Sequence, residues 1–241
     1  MLGLGASLSG GTTLEITPSD ISGLQIWYKN NTNVGVDQWD DSSGNGRHAA
    51  QGTANARGTV SDGGILFDDS DPEDFYNITE STGYVNLGHD NAYTVAIVFT
   101  RQVDDTVNAI VGGATNSHYL AIWNEEQILT RATSPDITST FTFEENTFLI
   151  NTQMLLTITK DTSGDFKFYK NGAEISTTST NNPTNTGTTF VAQFLGSRHD
   201  GTATSDFQWD GVIYEMALYN TELTGSDLTN LNNYLTGKFG L

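Results

Sequence analysis

The chain has 241 residues, no cysteine, and a formal net charge of −19 set by 29 acidic and 10 basic side chains. Disulfides, thiolate zinc sites and a cysteine nucleophile are therefore excluded, and the negative field makes phosphate backbones and anionic lipid poor partners. Apolar residues make up 36% of the sequence, enough for one sizeable core, while abundant Gly, Thr and Asn favour strands and turns over helices.

The amino-terminal MLGLGASLSGG carries no positive charge, and glycine interrupts its apolar run, so a signal peptide is not expected; nor is a transmembrane segment. Residues 1–13 read as a flexible arm. Its glycines deny it a stable helix or strand of its own, yet Leu2, Leu4 and Leu8 give it something to bury in a partner. A disordered start is the alternative. Residues 14–241 read as one domain, with no internal repeat and no linker between two cores.

Pro18 to Leu24 is expected to form a helical turn, and Leu24 to Tyr28 the first strand, around Trp27. The loop WDDSSGNGRHA, 39–49, is dense in turn formers. Strands follow at 64–67, 83–87, 93–100, 107–111, 119–123, 128–132, 148–160, 165–170 and 189–196, most of them bounded by Gly, Asn, Asp or Pro. Lys160 to Ile175 reads as two successive hairpins, turned at Ser163-Gly164 and Asn171-Gly172. Residues 176–188 are a Thr/Asn-rich loop with no apolar periodicity. From Gly211 to Tyr219 the residues alternate: Val212, Tyr214, Met216 and Leu218 are placed on one strand face, Ile213, Glu215, Ala217 and Tyr219 on the other. Thr224 and Asp227 stand at capping-box spacing. Leu228, Leu231 and Leu235 follow at helical spacing, with Gly237 as the expected stop. The fold class is therefore all-β, an antiparallel sandwich closed by one short helix.

In order along the chain, LQIWY (24–28), WDDSSGNG (39–46), GILFD (64–68), FYKNG (168–172), GVIYEMALYNTEL (211–223) and NYLTGKFGL (233–241) resemble motifs of laminin-G-like members of the concanavalin-A-like lectin/glucanase superfamily. Phe239 stands where that family's ending usually has Trp. The resemblance covers about Ile21 to Leu241 and implies a jelly-roll sandwich, a fold that carries enzymes, lectins and structural modules alike.

Asp40, Asp41 and Asn45 supply oxygen donors within one tight loop, and calcium-binding relatives make Ca the cofactor such a cluster would take. The competing reading is that Asp41 and Asn45 bond the loop's own amides as Asx turns. The run DDSDPED, 68–74, reads as a solvated acidic loop or a surface calcium site. Catalysis on this fold resembles the laminarinase type, which needs Glu-x-Asp-x-x-Glu on one strand; the spacing is absent. Glu125-Glu126 and Glu144-Glu145 point to opposite strand faces, and Glu215 matches a glutamate that is generally structural in the family. The histidines at 48, 89, 118 and 199 show no metal-ligand spacing. Sugars stack on exposed aromatic faces, so Tyr76, Tyr119, Trp123 and Trp209 are candidates, with Asn116, His118 and Asn124 nearby; a core role competes for each ring.

The expected function is a non-catalytic virion structural protein (a capsid decoration, head-fibre or tail-associated protein) of phage or virus. Similarity to virus-borne members, the arm and the acidic surface carry that expectation. The arm would join other virion proteins and the sandwich, as a homo-oligomer on the particle surface, would touch host glycans. The rival is a free extracellular carbohydrate-binding module or lectin of a microbe, and a glycoside hydrolase is the third class.

Overall fold

A computed structural model describes residues 15–68, 74–80, 83–104, 107–113, 118–132, 138–182, 190–198 and 207–241. The arm with Leu2, Leu4 and Leu8 lies outside the described residues, as do Asn116, His199 and most of the acidic run 68–74.

Among the described residues the strands form two large antiparallel sheets packed face to face and a separate two-stranded pair, Val85–Asn86 with Val191–Ala192. The first runs Ala173–Ile175, Phe166–Lys170, Met154–Lys160, Tyr93–Arg101, Gly211–Tyr219, Gly64–Phe67 and Thr59–Ser61, with Leu24–Tyr28 also pairing Gly211–Tyr219. The second runs Ser179–Asn181, Ser139–Thr142, Gln127–Arg131, Tyr119–Trp123, Val107–Gly112, Phe194–Leu195, Tyr76–Ile78, Ala49–Ala50 and Gln38–Trp39. Alternate residues of both sheets face inward and fill one core with large aromatic and branched side chains, including Trp39, Phe67, Phe99 and Ile122.

Seven non-glycine residues among those described have φ between +47° and +64°; six are asparagine and the seventh is Asp62. Asparagine and aspartate tolerate the left-handed region that tight turns need, which gives the sequence's asparagine content a structural use. Asn151, at φ 54°, breaks the strand expected over 148–160, so pairing begins only at Met154. The strand expected over 189–196 is likewise divided: Val191–Ala192 pairs with Val85–Asn86, and Phe194–Leu195 joins the second sheet.

Strand Gly211–Tyr219 departs from simple alternation. A β-bulge between Ile213 and Glu215 adds one residue against Tyr93–Arg101. Ile213, Met216 and Leu218 consequently share the inter-sheet core, while Tyr214, Ala217 and Tyr219 face the helix. The expected grouping of Val212 and Tyr214 with Met216 and Leu218 is thus corrected at the bulge.

The helix Gly225–Phe239 lies on the outer face of the first sheet. Its Leu228, Leu231 and Leu235 stripe packs with Tyr234 against Trp27, Val98, Leu155 and Tyr219. Thr157 Oγ1 donates to Asn232 Oδ1 at 2.7 Å within that contact. The helix continues through Gly237 and ends at Gly240, whose φ of 70° and ψ of 34° give the left-handed cap. Thr224 is the N-cap residue but makes no side-chain cap bond, so its spacing to Asp227 yields no capping box.

Candidate functional site

The two sheets end, on one side, in the exposed edge strands Ala173–Ile175 and Ser179–Asn181, joined by residues 176–178. Along this seam lies a cleft of about 360 Å³. Ligand sites generally span about 300–1,000 Å³, so the cleft is large enough for a small ligand or part of a chain. Its apolar wall follows from strand register. Phe166 and Phe168 alternate with Lys167 on one strand, Phe168 faces Ile175 across the hairpin, and Phe141 approaches from the opposite sheet. Phe141 lies 4.7 Å from Phe166 and 4.9 Å from Phe168, while Phe166 and Phe168 are parallel within 6°. Phe141 and Phe168 are buried, whereas Phe166 and Ile175 are half-buried and reach the cleft surface.

The rim is polar. Ser176, Thr177, Thr180 and Asn182 bring hydroxyls and an amide, and Asp165, Lys167 and Glu174 bring charges. Asn182 bridges the sheets: its Oδ1 accepts from Ser139 Oγ at 2.8 Å and its Nδ2 donates to Gly164 O at 3.2 Å. Thr178 holds the crossover, donating through its amide to Thr142 O at 2.7 Å. The turn before Phe166 is fixed by Asp161, whose Oδ1 accepts from the Ser163 and Asp165 amides. Those amides hold the Asp161 carboxyl below the usual carboxylate range.

Behind Phe166 sits Lys160, only 3% exposed. Its ammonium donates to the carbonyls of His89, Asn91 (2.9 Å) and Asp161 (3.0 Å). It also lies 5.6 Å from the Tyr93 ring centre and 6.0 Å from that of Phe166. Burial lowers its pKa, partly offset by Asp161 and Asp90. The caged ammonium fixes the Gly88–Asn91 turn to the strand end and supports the aromatic wall from the rear.

Of the aromatic candidates, only Trp123 is exposed, at 41%. It shares the outer face of the second sheet with Tyr119 and Ala121, and it does not line the cleft. Tyr119 is a correction: it is buried, with Phe207 at 5.0 Å and the Arg131 guanidinium at 5.6 Å, so its ring offers no open stacking face. Trp209 is another, fully buried in the inter-sheet core, edge-on to Phe99 at 5.1 Å. Tyr76 is buried too and donates to Val36 O at 2.9 Å. His118 lies 5.8 Å from Phe190, and burial lowers its pKa. Asn124, at φ 47°, accepts from the Glu126 amide at 3.0 Å. Trp123 and Asn124 thus stay neighbours at a strand end without forming a joint pocket with Tyr119 or Trp209.

In the 39–46 loop, Asp41 accepts from the amides of Trp27, Ser43 and Arg47 at 2.9–3.0 Å and from Ser43 Oγ at 2.7 Å. Asn45 donates through Nδ2 to the carbonyls of Leu24 and Gln25, each at 3.1 Å. Asp40 turns away from both, 3.3 Å from His48 Nδ1 and accepting from Gln38 Nε2. The three donors do not converge on one point. Among the described residues no group of three or more His, Asp or Glu side chains is arranged to hold a metal ion.

Glu215 is fully buried on the helix side of the first sheet. Trp27 Nε1 donates to its Oε1 at 2.8 Å; Lys238 Nζ, at 2.5 Å, and the Asn30 amide, at 3.1 Å, donate to Oε2. The carboxylate links the first strand, the closing strand and the helix. Those three bonds give the carboxylate a structural role.

A comparison of the sequence with curated proteins finds no match. Among solved structures, the chain is similar to a binding domain of botulinum neurotoxin DC in complex with rat synaptotagmin II (16% identity, TM-score 0.63, 88% of this chain and 52% of that one). It is also similar to botulinum neurotoxin type C, whose cell entry depends on interaction with two ganglioside molecules (14% identity, TM-score 0.60, 90% of this chain and 52% of that one). A Trypanosoma rangeli sialidase bound to 2,3-difluoro-KDN matches at 12% identity and TM-score 0.55, over 90% of this chain and 33% of that one. The chain therefore spans about half the length of the neurotoxin chains and a third of the sialidase, and the likeness is one of fold. The sequence also matches the Laminin_G_3 family model over residues 75–229, well over half its length. With the packed antiparallel sheets, that match establishes that the chain belongs to the concanavalin A-like lectin/glucanases superfamily.

Proposed function

We propose that this chain is a non-catalytic, lectin-type module that binds glycans in the seam cleft. The observation carrying this reading is the half-buried Phe166 ring set beside Ile175 and rimmed by Ser176, Thr177, Thr180 and Asn182. An aromatic face accepts the C–H face of a pyranose, and hydroxyls and amides exchange hydrogen bonds with its hydroxyls. The cleft's two carboxylate residues, Asp165 and Glu174, are both solvent-exposed, whereas a general acid works from an apolar enclosure. The relatives of similar fold include neurotoxin binding domains, in keeping with a recognition role. A glycan microarray with and without calcium tests the proposal, with Phe166→Ala and the exposed-rim variant Thr180→Ala alongside. Binding should be present in both conditions and fall at least about tenfold in Phe166→Ala, a loss near 1.4 kcal/mol. Absence of binding to any glycan would overturn it.

A position on a virus particle, attached through residues 1–13, is a separate proposal resting on the sequence; neither fold nor relatives support it. Deleting residues 1–11 tests it: particle incorporation and oligomeric state should both be lost. Unchanged incorporation would remove it.

A further inference from the structure

Resting on the glycan reading above, we infer that the cleft selects uncharged saccharides and rejects sialylated or uronate-bearing ones. The basis is where the chain's cations stand. All ten Lys and Arg residues are among those described, and Lys167 alone of them lines the cleft. Asp165 and Glu174 stand on the same rim and oppose it.

The cations that recognise a carboxylate most effectively are committed elsewhere. Arg47 and Arg57 donate to the carbonyls of Gly83 and Gln51. Arg101 is buried beside Asp104, while Arg131 and Arg198 stack on the Tyr119 and Phe207 rings. Lys160 is caged by carbonyls, and Lys238 is paired with Glu215. No guanidinium is available in the cleft for the bidentate contact that fixes an anionic sugar.

The remaining rim chemistry is neutral. Residues 175–182, ISTTSTNN, contain no charged side chain, so the crossover and the edge strand after it contribute only hydroxyls and amides to the rim. Such groups both donate and accept, matching sugar hydroxyls without preference for charge. The net charge of −19 adds a field that repels anionic ligands before contact. A bound uronate or sialate would meet Asp165 and Glu174 with a single exposed lysine to offset them.

The test uses the full chain and a panel of neutral gluco-, galacto- and manno-oligosaccharides, each paired with its sialylated or uronate-bearing counterpart. Affinities are measured by titration calorimetry at low and at physiological salt, in wild type, Glu174→Lys and Phe166→Ala. The neutral member of a pair should bind at least tenfold more tightly, with an affinity that salt leaves unchanged. Glu174→Lys, at an exposed edge position, should narrow that gap. Equal or tighter binding of the acidic member, lost in Phe166→Ala, would overturn the selectivity and leave the site standing. Failure of every saccharide to bind would overturn the site reading and this inference together.

Discussion

Replacing Glu215 by Gln should destabilise the fold strongly, although Glu215 is the one charged side chain of the strand Gly211–Tyr219. The carboxylate is fully buried and accepts from the Trp27 indole, the Asn30 amide and the Lys238 ammonium. Glutamine keeps one acceptor oxygen, which Trp27 can retain. Its amide group then faces two donors that lose their acceptor, a change worth roughly 1–3 kcal/mol per buried group. Breaking a buried ion pair costs about 3–5 kcal/mol. Lys238 is 24% exposed at its side chain and recovers some hydration, which reduces the loss. A total of about 2–4 kcal/mol follows, or roughly 4–16 °C in Tm for a domain of this size. Thermal denaturation followed by near-ultraviolet circular dichroism measures it, and a double-mutant cycle with Lys238→Met should return a coupling of about 1–2 kcal/mol. A Tm within about 1 °C of wild type would refute the assigned bonds.

Gly211 sits at φ 129°, and a Cβ there would lie 2.0 Å from Thr100 O. Gly211→Ala should therefore cost more than about 3 kcal/mol by denaturant titration, against roughly 1 kcal/mol for Gly172→Ala in its open hairpin turn. Asp41→Ala should lower Tm by several degrees because it strands the amides of Trp27, Ser43 and Arg47, whereas millimolar calcium should move wild-type Tm by less than about 1 °C. Asp74 has its pKa pushed up to about 6, chiefly by burial, with the Asp68 charge adding to it and the Asp68 amide opposing. The folded state then holds the proton more tightly than the unfolded chain, so this contribution is complete below about pH 4 and is lost as pH rises through 6. Urea midpoints should show a decline of about 1–2 kcal/mol across that window, solvent screening included, and Asp74→Asn should flatten it.

The closing elements were readable because their signals are local. The leucine stripe and the Asn171-Gly172 turn each depend on residues a few positions apart, and both form as expected. The bulge at Tyr214 was not readable, since strict alternation over Gly211–Tyr219 gives no sign of an extra residue. Gly240 rather than Gly237 ends the helix because Phe239, beyond the earlier glycine, still packs on the cluster between helix and sheet. Trp209 illustrates the limit for sites: a tryptophan in a turn-rich segment looks available, and only the fold reveals Phe99 against it. The cleft was missed for a related reason. Phe166 and Phe168 were visible as a strand, but Ser179–Asn181 is wholly exposed and has no apolar pattern. Nothing local to either segment shows that two sheet edges meet there.

The most direct measurement is a heteronuclear NMR titration of the labelled chain with a glycan that binds it. Amide shifts should concentrate at Phe166, Phe168, Ile175, Thr180 and Asn182, with Tyr119, Trp123 and Asn124 unmoved. Shifts concentrated at Trp123 and Asn124, with the seam silent, would contradict the assignment of the cleft as the binding site.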